Sequence, residues 1–305
     1  MVRRNFLGSL LAGSALAAQT NETSNIVIER PNADNARKGK VLALITPHLD
    51  DGPIFAGGTI AKLLKEGCTG YFIRTSNDEK DSFDLSLGET ILANERDTAA
   101  VVRVFGFQKS FDLSYRNHRM DEMSPVELRA RLIFLFRLLK VDVVFSYDPW
   151  GHYEENPDHY VTAKAVEAAC WMSGGKLDFP EHFAAGLQPH SVSEKYYFAR
   201  GPQLVNRVVD IAPTLDRKLA AIGACRTMIH HMVKDLQVSL AEQKLRLPML
   251  SGDEHAANAE YIKLAFASRA AEVGRQNGVD YAEAFHYIGP DLAMQQYIER
   301  TAVPL

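Results

Sequence analysis

Two short stretches of this 305-residue chain carry side chains able to act together on a substrate. The first is Pro47-His48-Leu49-Asp50-Asp51, an imidazole followed closely by two adjacent carboxylates. The second runs Asp148-Pro149-Trp150-Gly151-His152-Tyr153-Glu154-Glu155-Asn156-Pro157-Asp158-His159. Imidazole nitrogen and carboxylate oxygen are ligands suited to zinc. Asp50 and Asp51 are neighbours and point in different directions, so one can hold a metal while the other faces whatever the metal activates. His152 is a candidate catalytic histidine, with Asp158 or Asp148 orienting its ring. The amide of Asn156 can donate to an oxyanion but cannot shuttle a proton.

The elements around these stretches place both at the carboxyl end of a strand. Val41–Thr46 is a short apolar run that reads as a buried strand. It runs into the first polar loop, and Gly57-Gly58 reads as a turn opening an amphipathic helix over 60–66 that stops at Gly67. A strand at 70–76, a long acidic loop at 77–88 and a helix over 89–105 ending at Gly106 follow. Next come a strand at 110–114, a polar segment holding Tyr115, Arg116, Asn117 and His118, and a helix from Pro125 to about Lys140 capped by Ser124. A strand at 142–148 leads into the second cluster, which precedes a helix over 160–171 with Asp158 as its expected cap. His159 falls at or near that helix start, where the positive helix end disfavours imidazolium and a metal would find the neutral ring it needs. The alternation predicts an α/β fold: a Rossmann-like, mostly parallel sheet with helices on both faces. Loops at the carboxyl edge of such a sheet can meet in one crevice.

The C-terminal half is predicted to be richer in helix. An irregular insertion spans 174–190, and β-like runs cover 194–200 and 205–211. Pro213 starts one long helix through Leu219, Ile222 and Ile229. From Gly252 onward, helix is expected over 256–271 and 281–286. His230 and His231 are adjacent and diverge by about 100° on a helix, so they do not share a metal.

Composition is that of an ordinary globular protein, 46% hydrophobic and 24% charged, and the net charge of −4 argues against a nucleic-acid partner. The three cysteines, Cys68, Cys170 and Cys225, form no close-spaced metal motif and read as buried apolar thiols. Residues 1–18 read as a twin-arginine-like signal peptide: Arg3-Arg4 before Phe6-Leu7, a weakly apolar run, then small residues to Ala18. Its apolar part is too short for a stable membrane span. Cleavage near Ala17 or Ala18 removes two arginines and no acid, taking the formal charge from −4 to −6. The expected organisation is this leader, a polar linker over 19–40 and a single domain over 41–305, exported to the periplasm or the exterior.

The first cluster resembles the A-H-P-D-D-E motif of the PIG-L/LmbE-like N-acetylglucosaminyl deacetylases, with Gly57-Gly58 in register; Leu49 stands for its proline and Gly52 for its glutamate. The family's H-P-D-H motif is matched by Asn156-Pro157-Asp158-His159. Asn94-Glu95-Arg96 with Ala99-Ala100 and Phe105-Gly106 is similar to a family helix whose acid maps onto Glu95. Lys218 and Arg226 match a later stretch in which Cys225 and Met228 replace a histidine and a glutamine, and Glu283-Ala284-Phe285 matches a late motif. The resemblance covers about 40–288. It implies one zinc ion (or another divalent metal) on His48, Asp51 and His159, with Asp50 as general base. It places Asn156 where the family has a histidine beside the reacting carbonyl, and His152 or Asn156, with Asp158, would complete the catalytic group. The implied reaction is hydrolysis of an N-acetyl group on a small acetylated amino sugar or glycoconjugate, giving acetate and a free amine.

Two other readings use the same residues. His48, Asp50 and His159 fit the facial triad of a non-haem iron oxygenase, a chemistry usual on an all-β jelly roll. The replacements at Leu49, Gly52, Asn156 and Cys225 fit a secreted sugar-binding protein on a degenerate deacetylase scaffold.

Overall fold

Alternation along β2 (Val41–Thr46) sorts the hydrophobic core into two layers: Leu42 and Leu44 enter one, Ala43 and Ile45 the other. A strand buried on both faces is what a parallel sheet sandwiched between helices requires. The computed structural model describes residues 26–290 and 292–304, so the expected leader at 1–18 and its cleavage point lie outside the described residues.

Eight strands form one sheet in the order β1-β7-β8-β6-β5-β2-β3-β4. They are β1 (Val27–Glu29), β2, β3 (Thr69–Ser76), β4 (Lys109–Tyr115), β5 (Val143–Tyr147), β6 (Glu194–Phe198), β7 (Arg207–Asp210) and β8 (Ala282–Ile288). β8 alone runs antiparallel to its neighbours β6 and β7; the other pairings are parallel. On one face, α1 (Asp51–Lys65) and α2 (Leu87–Phe105) bury Ala56, Ile60, Leu63, Val101 and Phe105 against Leu42 and Leu44. On the other, α3 (Pro125–Leu139) and α4 (Pro157–Met172) bury Leu128, Leu132, Ile133 and Val166 against Ala43 and Ile45. Each such aliphatic side chain withdrawn from water contributes roughly 1.5–3 kcal/mol. The α/β architecture expected from the sequence is the one observed, and it leaves no room for the jelly roll that the iron-oxygenase reading needs.

Several boundaries differ from expectation for identifiable reasons. β1 falls inside the span read as a linker. Its Glu29 is buried and accepts from Lys62, Tyr196 and Arg207, so this edge strand, whose Val27 is exposed and Ile28 half-buried, is anchored by charge. The glycine pair does not make a turn: α1 starts at Asp51 and Gly58 lies in its interior, where a Cβ would stand 2.6 Å from Ile211. The residues expected as a helix at 281–286 are β8, in which Glu283 and Phe285 share the face toward α1. The long helix from Pro213 is two helices, α6 (Leu215–Ala224) and α7 (Arg226–Glu242), broken at Cys225. The insertion contains a short helix, α5 (Glu181–Ala184). In the C-terminal part, α8 (Glu254–Ile262) passes through a π-helical turn into α9 (Ser268–Gln276), and α10 spans Leu292–Thr301. Among the described residues, no helix is long and apolar enough to cross a membrane. Cys68, Cys170 and Cys225 are free and buried.

Candidate active site

β2 ends at Thr46, whose hydroxyl donates to the His48 carbonyl and turns the chain into α1. His48 and Asp50 occupy that turn, and Asp51 is the first residue of α1, where the positive helix end favours a carboxylate. From β5, the strand beside β2 in the sheet, the chain passes through the 148–156 loop into α4. Asn156, not Asp158, caps α4: its Oδ1 accepts from the Asp158 amide at 2.9 Å. This puts His159 one turn into the helix with its ring turned back toward the sheet edge.

The two loops meet. His48 Nδ1 lies 3.0 Å from His159 Nε2 and 3.4 Å from Asp51 Oδ2, and His159 Nε2 is 3.7 Å from Asp51 Oδ1. All three residues are buried. The outer nitrogen of each ring faces a carboxylate: His48 Nε2 is 3.3 Å from Asp158 Oδ2, and His159 Nδ1 is 3.1 Å from Glu154 Oε1. Carboxylates there fix the outer nitrogens as N–H donors, which leaves both inner lone pairs aimed at each other and at Asp51. Three ligand atoms converging from two loops are a donor set for a cation, and two imidazoles with one carboxylate suit zinc. A second grouping, His48 with Asp78 and Asp81, is geometrically possible. In it Asp78 already accepts from Arg74 at 2.8 Å and from Ser76 at 2.7 Å, so a cation would have to displace a guanidinium.

Electrostatics follow from this crowding. Burial opposes a charged His48, but the carboxylates of Asp81, Asp158 and Asp51 outweigh it and raise its pKa well above the usual imidazole value. Burial likewise works against an ionised Asp51, yet His159, His48 and the Tyr147 hydroxyl bring its pKa down to about 2. Asp50 moves the other way, its pKa pushed well up by burial and by the Asp51 charge. Among the described residues no donor reaches the Asp50 carboxyl, which is therefore the one buried acid beside the trio with free lone pairs.

The structure distributes the expected catalytic residues unevenly. Asp50 is in the site, and Asn156 Nδ2 reaches to 3.4 Å from His159 Nε2, beside the converging donors. Asp158 is completely buried, and its carboxylate is occupied by the amides of His118 and Met120 and by the outer nitrogen of His48. His152 is exposed; its ring neighbours Tyr153, and Asp148, proposed as its orienter, instead binds His286, Gln203 and the Trp150 amide. Glu95 points to solvent, because α2 turns Asn94 and Asp97 inward instead. Sequence reasoning missed Tyr147, which donates to Asp51 and stacks on His159, and gave no role to Glu154 or to Arg200, which binds it. The signal for Tyr147 was its place as the last residue of a buried strand, one before the polar loop. His118, in a left-handed backbone conformation (φ 60°), stands exposed at the rim with its ring 6.3 Å from that of His48.

The departures from the family motif are accommodated in the core. A Cβ at Gly52 would lie 2.2 Å from the Leu44 side chain, so a glutamate there would require Leu44 to shift, and Leu49 is packed among the apolar residues of the same layer. The family model for GlcNAc-PI de-N-acetylase (PIG-L) matches residues 43–170, the span that contains both loops. Over that span the chain is similar to the PIG-L/LmbE-like deacetylases. The diacetylchitobiose deacetylase of Thermococcus kodakarensis is 26% identical over 231 residues, covering 73% of this chain and 83% of that protein. Among solved structures, N,N'-diacetylchitobiose deacetylase from Pyrococcus horikoshii, complexed with its inhibitor MPG, superposes with a TM-score of 0.66 at 24% identity, covering 84% of this chain and 88% of that one. The 4-carboxy-2-hydroxymuconate hydratase GalB from Pseudomonas putida gives 0.60 at 17% identity, covering 83% and 98%. These superpositions speak to fold alone. A sheet of this kind therefore does not by itself set the reaction; the side chains at its edge do.

Proposed function

We propose that this protein is a metal-dependent N-deacetylase acting on a small N-acetylglucosamine-containing substrate or a related acetylated amino sugar. The observation that carries this reading is the convergence of His48 Nδ1, His159 Nε2 and the Asp51 carboxylate beside an unpaired, buried Asp50. His48, Asp51 and His159 would hold the ion, and three protein ligands leave a position open for chemistry. A divalent ion there supplies Lewis acidity toward a carbonyl and lowers the pKa of water from ~15.7 toward ~7.

The chain's own residues do the rest. Asp50, with free lone pairs, takes a proton from the attacking water. Having gained that proton, the same carboxyl becomes the acid that delivers it to the departing amine nitrogen. Asn156 Nδ2 donates to the oxygen of the acetyl group as charge gathers on it. Tyr147, Glu154 and Asp158 keep the three ligands in register from behind. The family-model match over 43–170 and the similarity to a diacetylchitobiose deacetylase support an acetylated amino sugar as substrate. The leader-like residues 1–18 support action outside the cytoplasm, which cell fractionation of a tagged protein tests.

Metal analysis of the purified protein, followed by an acetate-release screen over N-acetylglucosamine, N,N'-diacetylchitobiose and larger conjugates, tests the central reading. About one zinc or other divalent ion per chain and metal-dependent acetate release are expected. Absence of acetate release from metal-replete protein across the whole screen overturns it.

A further inference from the structure

The groups that would do the chemistry are sunk below the surface: His48, Asp50, Asp51 and His159 are each no more than 6% exposed. Only the acetyl end of a substrate can enter among them, so the sugar that carries it stays at the mouth. Side chains at the rim therefore meet the sugar, and His118 is one of them.

His118 belongs to the segment that follows β4, the outermost strand on its side of the sheet. That segment is tied down residue by residue. The Asn117 amide donates to Asn77 Oδ1 at 3.2 Å, the His118 amide to Asp158 Oδ2 at 2.6 Å, and the Met120 amide to Asp158 Oδ1 at 3.2 Å. Asp158 Oδ2 also faces His48 Nε2 at 3.3 Å. One carboxylate oxygen thus holds both the backbone of His118 and the ring of a candidate metal ligand, which fixes the spacing between the two histidines. Their rings meet edge-on, with centroids 6.3 Å apart and planes at 85°.

The backbone at 118 is left-handed, with φ 60°. Glycine adopts that conformation freely, whereas a residue with a Cβ resists it. Glycine would hold this turn at least as well, so what histidine adds at 118 is its imidazole, presented to solvent beside the buried site. Residues kept in such sparsely populated conformations gather at active sites and ligand clamps. An imidazole offers a donor nitrogen and an acceptor nitrogen on one rigid ring. A sugar hydroxyl likewise donates and accepts, and N-acetylglucosamine carries one on each side of the carbon that bears the acetamido group.

We propose that His118 contacts the substrate and sets part of its specificity, by hydrogen-bonding a ring hydroxyl next to the acetamido-bearing carbon while the acetyl group lies among the buried residues. The proposal rests on the deacetylase reading for what those residues bind, and it names how the sugar itself is recognised, which that reading leaves open.

The test is isothermal titration of the zinc-loaded full chain carrying Asp50→Asn, so that bound probe is not consumed. The probes are N-acetylglucosamine and its 1-deoxy and 3-deoxy analogues. One analogue should bind about fivefold or more weakly than the full sugar, the scale of one lost hydrogen bond. Adding His118→Gly should weaken the full sugar by the same factor and leave that analogue's Kd unchanged, because the ring and the hydroxyl each act only through the other. A purely structural role for His118 would weaken all three probes alike. His118→Asn, whose amide keeps a donor and an acceptor on a left-handed backbone, should restore part of the discrimination. The His118→Gly chain should melt no lower than its parent; if it does, His118→Asn carries the comparison, with the discrimination reduced. Equal binding of the three probes, no measurable binding of any, or discrimination that survives the loss of His118 overturns the proposal. Acetate release by the unsubstituted enzyme separates the two ideas. Release with no His118-dependent discrimination leaves the deacetylase standing and removes His118 from sugar recognition; such discrimination without release does the opposite.

Discussion

Tyr147 donates its hydroxyl to Asp51 Oδ1 at 2.5 Å, and the same ring stacks on His159 with centroids 4.1 Å apart and planes at 15°. One side chain on the end of β5 thereby aligns two of the three candidate metal ligands, which arrive from different loops. The ring and the hydroxyl can be separated experimentally. Tyr147→Phe keeps the stack and releases the Asp51 carboxylate, so the fold should melt at nearly the same temperature while metal affinity falls about 10–100-fold, the usual effect of losing an orienting partner. Competition against a chromophoric chelator measures this, and an unchanged affinity would show that the hydroxyl does not orient Asp51.

Asp50 and Asp51 should respond oppositely to substitution, although they are adjacent. Asp50 has no hydrogen-bond donor among the described residues and does not belong to the converging trio. Asp50→Asn should therefore bind its full equivalent of metal and lose at least ~100-fold in acetate release, the lower range for general-base catalysis. Asp51→Asn should lose the metal itself. Metal content and turnover of both variants, measured together, check the assignment; unchanged turnover in Asp50→Asn removes it from the mechanism.

The sequence made the sheet, the two loops and the ligand trio legible, because each depends on short-range pattern: an apolar strand, a polar turn, a capped helix. What it hid depends on packing between distant elements. The glycine pair reads locally as a turn, yet Gly58 sits inside α1 because Ile211 needs the space a side chain would fill. Glu283 reads as part of a helix until its carboxylate is seen gripping the α1 backbone from β8. His152 and Glu154 are two residues apart in one loop and look equally eligible, but the loop turns Glu154 toward His159 and leaves His152 outside. Helix phase made a similar difference on α2, where Glu95 faces water and its neighbour Asn94 faces the acidic loop.

That division between inward and outward loop residues gives a paired prediction. Asn156 caps α4 and also extends Nδ2 toward the site. Asn156→Ser preserves a cap acceptor and removes the amide donor, so helix stability should be nearly unchanged. Loss of an oxyanion donor should lower kcat by about 100-fold or more, with a smaller effect on KM. His152→Ala should leave both parameters within about twofold, in keeping with an exposed ring whose removal is worth little. Steady-state acetate release by the two variants decides it, and the reverse ranking would return His152 to the catalytic group.

Glu154 links the site to acid stability. Burial raises the pKa of its carboxyl, but hydrogen bonds from His159 and Arg200 prevail and bring it down to about 2. The folded carboxyl is thus a stronger acid than the unfolded one, so across the window from the usual glutamate range down to about 2 the unfolded chain binds more protons. Stability from Glu154 is complete above that window and drains away as pH falls through it. Urea unfolding of metal-free protein between about pH 6 and pH 2, a range that brackets both states, should show Glu154→Gln with a shallower acid limb than the parent. Asp51, also held near 2, keeps part of that limb in both proteins, so the difference between the two curves isolates Glu154. Parallel curves would mean that His159 and Arg200 do not favour the ionised carboxylate in the folded chain.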